Sequence, residues 1–220
     1  MTAVASGPAE PARDCALCPR LHDFLSTWRA RAPDWHNAPV PAFLPVGGAQ
    51  SVSLLIVGLA PGLRGANRTG RPFTGDYAGD LLYGTLGRFG FARGTFEARP
   101  DDSLELVDTA IVNAVRCVPP ENKPVGSEIN NCRRFLTATM ADFPNLRAIV
   151  TLGTIAHQST VRALGCRVAA LPFSHAGEQQ AGALRLFSSY HCSRYNTNTG
   201  RLTEEMFVGV FARVREFLGE

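Results

Sequence analysis

The sequence predicts an α/β fold with a central, mostly parallel sheet of four strands and helices on both faces. Four short apolar runs are typical of strands buried on both sides: residues 52–58, 106–115, 147–153 and 184–190. Helical patterns separate these runs along the chain. Alternation of strand and helix is typical of a parallel sheet that is covered by helices on each face.

The elements can be assigned in order along the chain. Residues 1–14 are rich in Ala, Pro and Gly and are predicted to form a disordered tail, which leaves residues 15–220 as one domain. Apolar residues at helical spacing predict a first helix from Cys15 to about Ala32. Four prolines and two glycines predict that residues 33–50 form a loop.

Each strand is followed by a helical pattern. The predicted helices span about 78–90, 127–143, 154–164 and 204–218. Ser127 and Thr203 are the expected N-caps of two of them, because a hydroxyl can accept a hydrogen bond from a free amide of the first turn.

Composition narrows the class of protein without fixing its function. The net charge of +3 allows nucleic-acid binding but does not require it. There is no signal-peptide pattern and no apolar run long enough to cross a bilayer, so a cytoplasmic protein without membrane contact is expected. In that reducing compartment, clustered cysteines are more typical of metal ligands than of disulfides. Of the six cysteines, Cys166 and Cys192 are interpreted as bystanders.

Four cysteines form the candidate metal site. Cys15 and Cys18 make a CxxC pair, and Cys117 and Cys132 follow with fourteen residues between them. Four thiolates suit a [4Fe–4S] cluster or a structural zinc ion. The wide second spacing is unlike a common zinc ribbon and favours iron–sulfur. The alternative is that Cys117 and Cys132 are unrelated core residues.

A glycine-rich loop follows the first strand over residues 58–76. It contains five glycines and three arginines, Arg64, Arg68 and Arg71, with no acidic residue before Asp76. Backbone amides of such a loop can hold phosphate, and the arginines could contact phosphates as well. The loop matches neither a P-loop nor a dinucleotide fingerprint, so no nucleotide cofactor is expected.

Two side chains of this loop have both a structural and a functional interpretation. Phe73 is either a packing anchor or a platform on which a planar base stacks. Asp76 is either a general base for water or the N-cap of the next helix. Composition does not decide between these alternatives.

Polar residues also follow the second and fourth strands. Asn113 and His191 each stand at a strand end, and Ser193, Arg194 and Asn196 are hydrogen-bond donors suited to phosphates. In an open α/β sheet, ligands bind at the carboxyl ends of the strands. The loops after three strands are therefore predicted to meet in one pocket, where an Asn amide could read a base edge.

Taken together, four motifs resemble the iron–sulfur uracil-DNA glycosylases, most closely the branch called type B or family five. The resemblance covers about residues 15–218 and rests on residues 58–62, 67–76, 113–124 and 189–203. It implies a three-layer α/β/α sandwich and a [4Fe–4S] cluster. It also implies a monofunctional glycosylase, expected to be a monomer, that flips uracil out of single- or double-stranded DNA and hydrolyses its N-glycosidic bond.

The resemblance implies a role for individual positions. The residues that match the cluster ligands are Cys15, Cys18, Cys117 and Cys132. The residues that match the base-binding motifs are Gly58, Leu59, Ala60, Pro61, Gly62, Phe73 and Asn113, and those that match the catalytic positions are Asp76 and His191. The residues expected to contact DNA are Arg64, Arg68, Ser193, Arg194 and Tyr195, and the last two are also candidates for filling the vacated base stack.

The sequence departs from related enzymes at two places. Type A enzymes carry a glutamate shortly after the first motif, where this chain has Leu63, Arg64 and Gly65. Cys192 stands where the last motif usually has proline. Both departures suggest a substrate range wider than uracil. The rival interpretations are a non-catalytic iron–sulfur protein that binds nucleic acid and a nucleotide-binding hydrolase.

The segment that bears the second cysteine pair is basic. Arg116, Lys123, Arg133 and Arg134 are expected to lie against DNA, beside a cluster whose role is structural.

Overall fold

The computed structural model describes residues 10–219. Most of the predicted disordered tail, residues 1–9, lies outside the described residues. The rest of it lies against the domain: the Glu10 carboxylate accepts a hydrogen bond from the Ala42 amide and pairs with Arg116 at 2.9 Å. Asp14 pairs with Arg29 at 2.6 Å. The packed part of the chain therefore already includes Glu10.

Seven strands and seven helices make up the described chain. The strands are β1 Leu54–Gly58, β2 Ala92–Arg93, β3 Glu105–Leu106, β4 Thr109–Asn113, β5 Ala148–Leu152, β6 Gly177–Ala181 and β7 Leu184–Ser189. The helices are α1 Pro19–Arg31, α2 Ala66–Thr69, α3 Tyr77–Arg88, α4 Gly126–Ala141, α5 Thr154–Ala163, α6 Arg194–Asn198 and α7 Glu204–Gly219. Within residues 10–219, none of the helices has the length and apolar character that spanning a membrane requires.

The main sheet has five strands in the order β4-β1-β5-β7-β6. β4, β1, β5 and β7 run parallel, which confirms the α/β class, whereas the prediction of four strands was wrong. The missed strand, β6, is an antiparallel edge strand that forms a tight hairpin with β7 around Gly182. Its sequence is polar and lacks the apolar run that identifies strands buried on both faces.

The predicted strand 106–115 is two strands in the structure. Asp108 has a φ of +48°, a left-handed conformation that ends one strand and begins the next. β3 pairs with β2 in a separate two-stranded sheet, and β4 joins the main sheet beside β1. An unbroken apolar pattern hides such a break, because the break depends on one backbone angle.

Helices cover both faces of the main sheet, as predicted. One face packs Leu82 of α3 and Phe211 of α7 against Ile56. The other face packs Leu136 of α4 and Val161 of α5 against Val57 and its neighbours. Adjacent residues of a strand point to opposite faces, so β1 contributes to both cores. The three-layer α/β/α sandwich is thereby confirmed.

One of the two expected N-caps is present. The Thr203 hydroxyl accepts a hydrogen bond from the Met206 amide at 3.2 Å and caps α7. α4 instead begins one residue before Ser127, and the Glu128 carboxylate accepts from the Val125 amide at 2.8 Å. The glutamate at the third helical position thus pairs with a free backbone amide at the start of α4, and the Ser127 hydroxyl is not needed there.

Candidate active site

The carboxyl ends of β1, β4 and β7 border one pocket. Residues from four segments, among them Phe73, Asp76, Asn113 and His191, meet in it. The first motif supplies one wall through Ala60, Pro61 and Gly62. The structure thus brings into contact polar groups that are far apart in the sequence.

Gly58 makes the pocket possible because it has no side chain. The parallel pairing of β1 with β4 places Gly58 beside Asn113. A Cβ atom at Gly58 would lie 2.7 Å from the Phe73 ring and would overlap the Asn113 side-chain oxygen. Any other residue would push the ring and the amide apart.

Phe73 forms the floor of the pocket. Its side chain is 5% exposed, and its ring stacks on His191 with centroids 5.9 Å apart and planes inclined by 26°. The backbone of Phe73 has a φ of +53°, which is rare for an aromatic residue and marks a constrained position. Phe73 therefore both packs against the core and presents its ring to the pocket.

The Asn113 side chain is buried but unpaired. It is 3% exposed, and among residues 10–219 it has no hydrogen-bond partner. Its amide atoms are not among the buried polar atoms that lack a partner, so the amide reaches the open space of the pocket. An unpaired amide at the edge of a pocket is therefore set up to receive a polar ligand.

Asp76 occupies the N-cap position of α3, but its carboxylate makes no capping hydrogen bond. One oxygen is buried without a partner, and the other faces the backbone of Gly62 and Gly65. Burial raises the pKa of Asp76 and outweighs the nearby amides of Gly79 and Ala78, which lower it. A helix cap alone does not account for this arrangement.

His191 is a neutral imidazole at physiological pH. Its ring is half-buried and has no hydrogen-bond partner within residues 10–219. Burial lowers the pKa of His191 to about 4, because the charged form of the ring loses its hydration. A neutral ring can donate one hydrogen bond toward the pocket without bringing a positive charge.

The three arginines of the glycine-rich loop divide into two kinds. Arg64 and Arg68 are exposed and form no ion pair with any described residue. Arg71 points inward, is 6% exposed and pairs with Asp102 at 2.7 Å. The hypothesis that Arg71 contacts phosphate is therefore wrong, whereas Arg64 and Arg68 are free to do so.

The segment after β7 presents polar side chains next to the pocket. Ser193 caps α6, and its hydroxyl accepts a hydrogen bond from the Asn196 amide at 3.4 Å. The Arg194 guanidinium lies 5.3 Å from the centre of the Tyr77 ring. Tyr195 is 72% exposed, so its ring is free to contact a ligand that covers this surface.

The two cysteine pairs, Cys15 with Cys18 and Cys117 with Cys132, line a single pocket. The rest of its wall is apolar apart from Asn131, whose amide donates to the Cys18 sulfur at 3.7 Å, and all four cysteines are free thiols. Cys117 and Cys132 are also buried members of the apolar cluster around Leu21 and Leu25, so both interpretations of these two residues stay open. Within residues 10–219, no group of three or more His, Cys, Asp or Glu side chains is arranged to hold a metal ion.

Arg116 lies inside the protein beside this pocket. It is 0% exposed, pairs with Glu10 and donates a hydrogen bond to the Thr139 hydroxyl at 2.8 Å. Its backbone amide donates to the Cys132 sulfur at 3.3 Å. The expectation that Arg116 lies against DNA is wrong, whereas Lys123 and Arg134 are exposed.

The pocket that Phe73, Asn113 and His191 line is called the base-side pocket below. Two of its small residues were not anticipated from the sequence. Ala66 and Ala78 both line it, at the start of α2 and in the first turn of α3. Alanine has no chemical signature, so only the fold can show that these positions border the pocket.

The fold and the site together are those of an α/β enzyme with a ligand pocket at the carboxyl ends of its strands, next to a buried carboxylate. The family model described as the uracil DNA glycosylase superfamily matches residues 45–215. The chain belongs to this superfamily, which confirms the predicted family and the predicted class of enzyme.

Relatives named Type-5 uracil-DNA glycosylase align over almost the whole chain. The protein from Thermus thermophilus is 40% identical over 93% of this chain and 94% of its own length. That from Pyrobaculum aerophilum is 37% identical over 91% and 87%, respectively. That from Mycobacterium leprae is 39% identical over 93% and 92%.

Replacing Gly58 should damage the pocket and the fold together. The Gly58→Ala variant should lose about 1–3 kcal/mol in the free energy of unfolding, because the new methyl group overlaps the Phe73 ring and the Asn113 amide. Urea denaturation measures this loss. Gly84→Ala in α3 is the matched control, because nothing lies within 4 Å of the added atom and alanine favours a helix. Equal stability of the two variants would contradict the close approach at Gly58.

Replacing Asp76 should stabilise the protein near neutral pH. The raised pKa means that the folded state disfavours the ionised carboxylate, so the wild-type protein loses stability as the pH rises through this pKa. Asp76→Asn should increase the melting temperature by a few degrees at pH 7. The gain should vanish below about pH 4, where the aspartate is neutral in both states. A lower melting temperature at pH 7 would show that Asp76 serves the fold.

Proposed function

We propose that this member of the superfamily removes uracil from DNA, with the excised base held between Phe73 and Asn113. The observation that carries this proposal is the unpaired, buried amide of Asn113 beside the stacking ring. The donor and acceptor of a carboxamide match the adjacent N–H and C=O groups of uracil. An aromatic ring on the flat face adds about 1–3 kcal/mol of stacking.

The pocket accepts a base only after the base has left the helix. The pocket lies at the ends of the strands, and a base that is stacked in a duplex cannot reach it. Extrusion costs a few kcal/mol and is easiest at mismatched or deaminated pairs. Arg64 and Arg68 hold the phosphates of the strand, since both are exposed and unpaired among the described residues.

The segment after β7 assists extrusion. Arg194 and the exposed Tyr195 fill the space that the base vacates, as inserted side chains do in other DNA-bending proteins. Arg194 already lies beside an aromatic ring, Tyr77, which keeps its guanidinium close to the rim of the pocket. Ser193 donates its hydroxyl proton to a phosphate while its oxygen caps α6.

Cleavage of the glycosidic bond produces negative charge on the base and positive charge on the sugar. The pocket contains one group suited to each charge. The departing base becomes an anion, which the neutral His191 and backbone amides of residues 58–62 stabilise by hydrogen bonding. The sugar becomes cationic, and the Asp76 carboxylate stabilises it or orients the attacking water. His191 suits this role because a neutral ring donates a hydrogen bond without transferring its proton.

The four cysteines hold a [4Fe–4S] cluster in this proposal. Four free thiols that line one pocket are the donor set that such a cluster requires. The wide spacing of Cys117 and Cys132 is unlike a common zinc ribbon and favours a cluster over zinc. A bound cluster would act as a structural cross-link between the start of α1, the segment after β4, and α4.

The Asp76→Asn variant tests the mechanism. It should cut the single-turnover rate of uracil cleavage by about 100-fold or more while its affinity for DNA stays unchanged. Excess enzyme, a uracil-containing oligonucleotide and alkali treatment of the abasic product provide the measurement. Cleavage at the wild-type rate would show that Asp76 is not the catalytic carboxylate.

The pH dependence of the wild-type rate provides a second readout for the same prediction. The rate should fall in acid as Asp76 is protonated, with a midpoint above the ordinary value of about 3.9. No break is expected near pH 6.5, because His191 stays neutral down to about pH 4. A break near pH 6.5 that disappears in His191→Gln would contradict the neutral imidazole.

The cluster has its own test. Protein purified without oxygen should contain about four iron and four sulfide ions per chain and should absorb visible light. Cys117→Ser should lose both the iron and the colour, and Cys166→Ser is the matched control, because Cys166 lies outside the four-cysteine pocket. A colourless protein that holds one zinc ion would replace the cluster with a zinc site.

A further inference from the structure

Arg71 is buried among aromatic rings although it belongs to a polar loop. Its guanidinium donates two hydrogen bonds to Asp102, one to each carboxylate oxygen, both at 2.7 Å. The rings of Phe43, Tyr83 and Phe96 surround it, with their centres 5.2–5.8 Å from its central carbon. This planar, two-point pairing is specific to arginine.

Asp102 is itself held firmly. One of its oxygens accepts a hydrogen bond from the Glu97 amide at 2.9 Å, and the other accepts from the Leu104 amide at 3.1 Å. Burial alone would raise the pKa of Asp102, but Arg71 and these amides lower it to about 2. The pair therefore stays charged throughout the physiological range and anchors Arg71 to the loop between β2 and β3.

The same guanidinium also contacts the turn formed by residues 71–74, called the arch here, which contains Phe73. Its Nε donates to the Thr74 hydroxyl at 2.8 Å, and that hydroxyl donates to the Pro72 carbonyl at 3.2 Å. The Tyr83 hydroxyl donates to the same carbonyl at 2.5 Å. Phe73 lies between these two anchored neighbours in its left-handed conformation.

Contacts with residues outside the arch hold Phe73 in that conformation. An aromatic residue at positive φ persists only where its surroundings determine it. Its carbonyl oxygen fits against Gly79, where an added Cβ atom would overlap it. Arg71 holds the Thr74 hydroxyl, and that hydroxyl holds the Pro72 carbonyl together with Tyr83.

We propose that Arg71 and Asp102 are positioning residues, which hold the Phe73 ring flat beneath the extruded base. Neither side chain lines the base pocket, and the ion pair acts through the arch of residues 71–74. This inference rests on the proposed role of Phe73 as the stacking ring. We call the Arg71–Asp102 ion pair, with its hydrogen bonds to the arch, the clamp. It matters for catalysis because a shift of about 1 Å in a reacting base can cost about 100-fold in rate.

A double-mutant cycle tests the clamp. Arg71→Lys retains the charge but loses the two-point pairing, and should lower the single-turnover rate of uracil cleavage by about 10–100-fold. Affinity for undamaged DNA should remain within about twofold, since Arg71 does not reach the surface. In a Phe73→Ala background, the same lysine substitution should change the rate by less than about twofold, because the ring it positions is gone.

Two further variants make the result decisive. Arg93→Lys is the matched control, because Arg93 forms an exposed ion pair with Glu105 in the neighbouring hairpin, and its cleavage rate should equal that of the wild type. Asp102→Asn removes the same clamp from the other side and replaces Arg71→Lys in the cycle if the lysine variant does not fold.

The outcomes separate the inference from the function on which it rests. An equal fold-loss in both backgrounds means that Arg71 supports the whole enzyme rather than Phe73, and overturns the clamp. A wild-type rate for Arg71→Lys and Asp102→Asn overturns it as well. A wild-type rate for Phe73→Ala alone shows instead that the stacking role is wrong, whatever the clamp does.

Discussion

The base-side pocket depends on the close approach of three groups at the end of β1. Gly58 lies against the Phe73 ring on one side and the Asn113 amide on the other, with no room for a Cβ atom. Parallel pairing fixes Gly58 opposite Asn113, so the backbone of the sheet sets the distance between the glycine and the amide. The Phe73 ring approaches Gly58 from the loop after β1, where the absence of a Cβ atom leaves room for it.

The same pocket is electrostatically unbalanced. It contains a carboxylate with one buried, unpaired oxygen and an imidazole whose pKa has fallen to about 4, so neither group neutralises the other. A protein selected only for stability would pair or remove such groups. In the proposed reaction, the carboxylate serves the sugar and the imidazole serves the base, where opposite charges develop during cleavage of the glycosidic bond. An unpaired carboxylate beside a neutral imidazole is therefore more typical of a reactive site than of a structural core.

The sequence predicts those features that repeat locally, and it misses those that depend on a distant partner. Buried strands were found because an apolar run is a local pattern, and the polar edge strand β6 was missed because it has none. Arg71 resembled a phosphate ligand because its partner, Asp102, is 31 residues away and reaches it only in the folded chain. Arg116 was misassigned for the same reason, since Glu10 pairs with it across 106 residues.

The two pockets are coupled by the short segment that leaves β4. Asn113 opens the segment and Cys117 closes it, so the amide of one pocket and a thiol of the other are four residues apart. Between them, the Val115 amide donates to the Leu59 carbonyl at 2.9 Å, which ties the segment to the first motif. Ala60 packs against the cysteine cluster from the same motif. The proposed cluster would therefore also support the wall of the base-side pocket without touching the substrate.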